Sequence, residues 1–357
     1  MTNEKLSRDL LLSEFIPEQM VRLPEHHPSR FPIPAYDAHN HLGRWFTKDW
    51  VIPDVPAFVA MLDEVNVQGV VNLDGPWGDE LEVTLDRYDR AYPGRFATFC
   101  RLNWAETANA GWGERLAASV RIAAKSGVSG LKLWKDIGLR NRDEKGELFF
   151  LDDTRLSPVW AEVADARIPI LVHIADPAAF FRPLDATNER FEELVRHPDW
   201  HFYGPEFPSL ERLLDSLEYC VAANPRIQFI GAHVGCYAED LAWVDRMIST
   251  YPNFNVDISA RIAELGRQPR ATRNLFLKHP DRVLFGTDIF PARASDYRKY
   301  LRFLATDDEC FPYSEHNPPP TGRWTISAID LPEDVLAKVI AGNARRIIPA
   351  FSRGRLQ

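Results

Sequence analysis

Short apolar runs of β type alternate with longer amphipathic stretches along most of this chain, and that alternation constrains the fold most tightly. The runs are Ala35–His41, Gly69–Leu73, Phe96–Leu102, Gly130–Trp134, Ile168–His173, Ile227–His233, Phe254–Ile258 and Val283–Thr287. Between them lie helical patterns such as Val55–Val65, Leu81–Ala91, Trp112–Ser126, Pro158–Ala166, Leu210–Ala223 and Leu241–Tyr251. Strands separated by helices pair in parallel, and eight such units over about 250 residues is the arithmetic of a (β/α)8 barrel. A doubly wound sheet is the alternative, but no GxGxxG follows any run and GxxxxGK[ST] is absent. The sequence therefore predicts an α/β protein of TIM-barrel type. Residues 1–33 form a polar, proline-punctuated arm and 34–357 a single domain. Two excursions exceed an ordinary βα unit: Asp176–Pro208 after the fifth strand, and Ile289–Leu331 after the eighth, including the loop Pro312–Thr325. Long excursions at strand C-termini are where barrels build lids and substrate walls.

Composition narrows the partners. With 42 basic and 51 acidic residues the net charge is −9, so no general electrostatic footprint for nucleic acid or an anionic membrane exists. An anionic substrate would need a local arginine or a metal. Cys100, Cys220, Cys236 and Cys310 are far apart, without a CxxC, and are expected to be idle thiols in a reducing compartment. The longest early apolar run, Leu10-Leu11-Leu12, is too short for a signal peptide, and no run of eighteen apolar residues occurs. A cytoplasmic protein acting on a small molecule is expected. Homodimerisation is compatible with this, although no sequence feature specifies an interface.

The strand ends carry the chemistry. The first run closes with Asp37-Ala38-His39-Asn40-His41. Residues two apart in a strand share a face, so His39 and His41 present both imidazoles to one side. The fifth run ends at His173, the sixth at His233, and the eighth leads into Asp288. All of these fall at the C-terminal mouth, where barrel enzymes keep their active sites. Each histidine alone could be a satisfied core residue; their convergence with a carboxylate argues for a metal. Imidazoles with one carboxylate suit zinc, or manganese as the alternative, and such an ion brings the pKa of a bound water toward ~7.

The order HxH, strand-five His, strand-six His and strand-eight Asp resembles the amidohydrolase superfamily. Within it, the chain is similar to the amidohydrolase-related branch that includes aminocarboxymuconate-semialdehyde decarboxylases and lactone hydrolases. Asp37-Ala38-His39-Asn40-His41, Gly130-Leu131-Lys132-Leu133, Phe285-Gly286-Thr287-Asp288 and Gly342-Asn343-Ala344-Arg345-Arg346 carry the likeness, which spans roughly residues 34–349. The resemblance implies one divalent metal held by His39, His41, His173 and Asp288. It also implies that His233 polarises the substrate or moves a proton, and that Asp288 doubles as proton acceptor. Lys132 would be a carbamate bridging two metals in the binuclear relatives; here a mononuclear site is expected, with Lys132 a charge facing the mouth or a buried ion-pair partner.

Substrate contacts are expected from Arg44, Trp45, Trp77, Arg101, Lys132, Trp134, Tyr203 and Arg261. Asp74, Asn103, Trp104 and Asp257 also fall at strand ends, while His201-Phe202-Tyr203 and Glu206 form either lid contacts or a local hydrophobic plug. His26, His27, His197, His279 and His316 are expected at the surface. Two functions compete. One is hydrolysis of a lactone, ester or amide of a small, sugar-derived or other organic substrate by a metal-activated water. The other is non-oxidative decarboxylation of an unsaturated or aromatic acid at the same site. A non-catalytic binder is disfavoured by the intact ligand set.

Overall fold

A computed structural model describes residues 20–352 together with 9–11, 14, 15 and 17; the first eight and last five positions of the expected arm and domain lie outside it. Eight strands, β1 (Ala35–Asn40), β2 (Val67–Gly75), β3 (Phe96–Cys100), β4 (Gly130–Leu133), β5 (Ile170–Val172), β6 (Phe229–Gly231), β7 (Phe254–Asp257) and β8 (Val283–Leu284), pair in chain order. Every pairing is parallel. The eight principal helices are α1 (Val55–Glu64), α2 (Asp79–Leu85), α3 (Trp112–Ser126), α4 (Ser157–Ala166), α5 (Leu210–Ala223), α6 (Leu241–Thr250), α7 (Pro269–Lys278) and α8 (Ala294–Ala305), one after each strand. This is the (β/α)8 TIM barrel. No helix among the described residues is long and apolar enough to cross a membrane.

Local chemistry sets the element ends. Asp54 caps α1 by accepting from the Ala57 amide at 2.9 Å, with Pro56 in the first turn where its missing N–H costs nothing. Gly127 ends α3 at φ +100°, a conformation that favours glycine. The barrel interior is filled by Ala38, Val71, Leu73, Ala97, Phe99, Leu171, Ile230 and Leu284, closed beneath by Ile347, Ile348 and Phe351. At that lower end Gly69 has no space for a side chain: a Cβ there would stand 2.7 Å from both Phe351 and Tyr36.

Closure between β1 and β8 departs from the expected run Val283–Thr287, because β8 itself is only two residues long. Beyond it the chain bonds across to β1: the Ala38 amide donates to the Phe285 carbonyl at 2.9 Å and the Asp288 amide to the His39 carbonyl at 2.8 Å. The seam is held by Asp37. Its wholly buried carboxylate accepts from the Thr287 hydroxyl (2.6 Å) and amide (3.0 Å), the His39 amide (3.1 Å), Asn40 Nδ2 (3.1 Å) and the Tyr297 hydroxyl (3.1 Å). Burial pushes its pKa up to about 6 although these donors oppose the shift.

The excursion expected over Ile289–Leu331 divides in two. Its first part is the eighth barrel helix, α8, which completes the βα repeat. Only the segment after it is surplus, and this folds back through an antiparallel bridge between Phe311 and Ile326. The arm is pinned to the same region. The His26 amide donates to Asp308 Oδ2 at 2.9 Å and its ring Nδ1 lies 2.5 Å from Oδ1, while Arg302 Nε donates to Oδ2 at 2.6 Å.

Two outcomes are expected. Asp37→Asn keeps the size but turns an amide N–H toward donors, and should lower the unfolding free energy by about 2–4 kcal/mol in urea titrations. The hydrogen bond to Asp308 raises the His26 pKa above its ordinary value. The charged clamp is therefore fully present below about pH 6.5 and is lost as pH rises through the folded-state value. Proteolysis of segment 20–30 should accelerate between about pH 6 and pH 9, beyond any change seen in His26→Ala.

Candidate active site

The mouth is assembled from strand ends. His39 sits in β1 and His41 one residue past it; His173 follows β5 directly and His233 lies two residues past β6. His233 and Asp288 have positive φ, at +56° and +55°, as do Val234 and Cys236 at +62° and +63°. Left-handed backbone is costly for a β-branched valine, and strain of this kind collects where a chain is bent to aim a side chain.

Each imidazole on β1 is oriented by a carboxylate. His39 Nδ1 donates to Asp257 Oδ2 at 2.8 Å, and His41 Nδ1 to Asp74 Oδ1 at 2.5 Å. Both Nε2 atoms are thereby left as lone pairs facing the mouth. Asp288 Oδ1 stands 3.7 Å from His39 Nε2 and 3.5 Å from His41 Nε2. Asp288 Oδ1 and His39 Nε2 are buried and make no hydrogen bond among the described residues. Three acceptors turned on one point without a donor is a costly arrangement that a cation would relieve. His39, His41 and Asp288 are spaced to hold one metal ion.

His173 and His233 lie one step away. His233 Nδ1 donates to the Ser259 carbonyl at 2.8 Å, so its Nε2 is the free acceptor, 3.3 Å from His173 Nδ1 and 3.7 Å from Asp288 Oδ2. The other nitrogen of His173 faces Asp176, which Lys135 pairs. In this rotation His173 stands outside the group formed by His39, His41 and Asp288, although its buried Nε2 lacks a hydrogen bond. All four imidazoles are at most 4% exposed. Burial, followed by nearby positive charge, holds the pKa values of His39 and His233 well below the ordinary value, and burial takes His173 to about 3. Burial raises Asp288 against the attraction of His41 and Lys132, and raises Asp257 against the hydrogen bonds it accepts from Ser259 and the His233 amide. Lys132 is buried with Nζ unpartnered, and desolvation lowers its pKa to about 8; among the described residues it has no ion-pair partner.

The flanking residues separate into groups. Trp45 and Trp134 roof the histidines together with Phe46 and Phe290: His41 lies 4.9 Å from Phe46, 5.1 Å from Phe290 and 5.8 Å from Trp45, and His173 lies 4.8 Å from Trp134. Arg101 lies 3.9 Å from the Trp45 ring and 5.6 Å from that of Trp77. Arg261 adds positive potential to His39, His233 and Asp288. Arg44 is not brought to the site; it pairs with Glu80 and covers Trp50. Tyr203 is 52% exposed and stacks on His201, whereas Phe202 is buried against Phe181 and Phe207 as a plug. His279, expected at the surface, is mostly covered and held 2.6 Å from Asp245.

Sequence reasoning missed Ser259 and the roof residues Phe46 and Phe290. Ser259 Oγ donates to Asp257 Oδ1 at 2.6 Å and touches both His39 and His233 Nδ1, at 2.9 and 3.0 Å. No spacing rule points to it.

A family model described as Amidohydrolase matches residues 36–350. The chain belongs to the amidohydrolase family. That family and its fold are those of metal-dependent enzymes. Among solved structures, this amidohydrolase is similar to 2,6-dihydroxybenzoate decarboxylase from Rhizobium, at 16% identity and TM-score 0.56 over 88% of this chain and 98% of that one. It is also similar to dihydroxybenzoic acid decarboxylase from Polaromonas with bound manganese and 2-nitroresorcinol, at 16% identity and TM-score 0.54 over 92% and 98%. A third is 5-carboxyvanillate decarboxylase from Sphingomonas paucimobilis, at 15% identity and TM-score 0.50 over 83% of each chain. At these identities the likeness is one of fold. No curated protein matches the chain.

Removing an orienting carboxylate should be felt at the imidazole it holds. Asp74→Asn is expected to weaken zinc or manganese uptake about 10–100-fold, measured by equilibrium dialysis and elemental analysis, with the melting temperature as control for folding.

Proposed function

We propose that the protein is a metal-dependent hydrolase that opens a lactone, ester or amide of a small organic substrate. The observation that carries this is the placement of Asp288. One carboxylate oxygen faces His39 and His41 and the other faces His233, so a single residue can hold a metal and exchange a proton with the reacting group. A divalent ion here would supply a water acidified toward a pKa of ~7 and would polarise the carbonyl under attack. His39, His41 and Asp288 would hold it, with His173 reaching it by rotation of its ring. Zinc suits two imidazoles and a carboxylate, and manganese is the alternative.

The chain's own groups do the rest. Asp288, whose burial favours its protonated form, accepts a proton as the nucleophile attacks and returns it to the leaving oxygen or nitrogen. His233, kept neutral by burial and fixed in one tautomer by the Ser259 carbonyl, presents Nε2 beside the same carboxylate. Trp45, Phe46, Trp134 and Phe290 exclude water and offer flat apolar faces to the substrate.

That dry roof also favours a second reaction, non-oxidative decarboxylation of an unsaturated or aromatic acid. A carboxylate stripped of water is destabilised relative to neutral CO2, and Asp288 or His233 would then protonate the carbon. The decarboxylases named among the similar structures support this reading.

Metal-loaded protein offered a panel of lactones, esters and amides beside hydroxylated benzoic acids separates the two. Acid release from the first set is expected, and CO2 release alone would replace hydrolysis by decarboxylation. Asp288→Asn should lower kcat at least about 100-fold, in the range of lost general acid–base catalysis, while the protein stays folded. An Asp288→Asn enzyme of undiminished activity would move proton transfer to His233.

A further inference from the structure

Beside the roofed histidines, and not over them, the structure contains a cavity of about 370 Å3 between the ends of β2 and β3 and the helices α2 and α3. The volume falls within the roughly 300–1,000 Å3 of small-molecule sites. Much of its wall is apolar, including Leu81, Leu102, Leu116, Val120 and Ala123. Arg101 stands where this cavity meets the mouth, beside Trp45 on one side and Trp77 on the other.

Of the two arginines that line the cavity, Arg115 is paired and Arg101 is not, among the described residues. Arg115 is bound by Glu106 at 2.7 Å and by the Ala110 carbonyl at 2.7 Å. Glu82 is paired with Arg90 at 2.8 Å, and Asp79 is exposed at the rim. Asp74, the nearest buried carboxylate, is spent on His41 Nδ1 and the Gly43 amide. Among the described residues Arg101 has no ion pair and no side-chain hydrogen bond, and its Nε is buried without a partner. A guanidinium has five donors in a fixed fork that matches a carboxylate, and leaving one desolvated and unpaired is unfavourable. Arg44 is excluded from the same role by Glu80.

We infer that this cavity is a substrate subsite for a carboxylate attached to an apolar body, with Arg101 gripping the carboxylate and the wall between α2 and α3 holding the carbon skeleton. Trp45 packs against both Arg101 and His41, so the gripped group need not be the reacting one. In the hydrolase reading, on which only this last point rests, the substrate carries a free acid in addition to the bond that is cleaved. Arg101 is then a specificity-determining residue.

Binding at the subsite needs no metal, which separates this inference from the reaction assigned above. Calorimetric titration of metal-free protein with hexanoate, and with neutral hexanamide of the same shape, tests it. Hexanoate should bind saturably and at least about tenfold more tightly, the discrimination expected of a charge-assisted hydrogen bond. Arg101→Gln should abolish the preference, and Arg101→Lys should retain part of it, which distinguishes loss of charge from loss of fold. Ser119→Phe, which fills the cavity from α3 while leaving Arg101 in place, should weaken both probes. Absence of saturable hexanoate binding, or an unchanged preference in Arg101→Gln, would overturn the subsite. Lost metal uptake with intact hexanoate binding would overturn the hydrolase and leave the subsite standing.

Discussion

Everything at the mouth depends on the buried carboxylate of Asp37. It gathers donors from β1, from the turn after β8 and from α8, and so sews the first strand to the last. The same seam sets the distance between His39 and His41 on one edge and Asp288 on the other. Burying an ion is expensive, and the elevated pKa of Asp37 records that expense. Five donors offset much of it, because a satisfied buried polar network is rigid where an unsatisfied one is merely costly.

Above the seam, polar groups occur in two kinds. Asp74, Asp257 and Ser259 are fully engaged and fix ring orientation; His39 Nε2, Asp288 Oδ1 and Lys132 Nζ are buried and unpartnered. The first kind pre-organises and the second waits for a ligand, and their adjacency is what distinguishes a site from a core. The aromatic roof intensifies the contrast. By excluding water it lowers the local dielectric, so each unpartnered charge acts more strongly on whatever enters.

Much of this was legible in the sequence, for a physical reason. Period-two alternation places His39 and His41 on one side, and the βα rhythm sends His173, His233 and Asp288 to a common end of the barrel. Less legible was anything decided by rotamers or loop paths. The ring of His173 turns toward His233 and Asp176, which no spacing encodes. Arg44 and Arg101 both follow strands and are indistinguishable as letters; only the neighbour Glu80 separates the paired cation from the unpaired one. The short β8 was likewise hidden, since Phe285-Gly286-Thr287-Asp288 reads as strand until Asp37 bends it across the seam.

The span of that seam bears on how the protein comes into being. Asp37 and Thr287 are separated by 250 positions, and contacts so distant pay their loop-closure entropy before any return from packing. His39 and Asp288 therefore meet only when nearly the whole barrel has formed, and no nascent fragment can carry the complete constellation. A ligand bound by these residues recognises the closed ring alone. By mass action it would draw the folding equilibrium toward closure and protect the chain in proportion to its concentration.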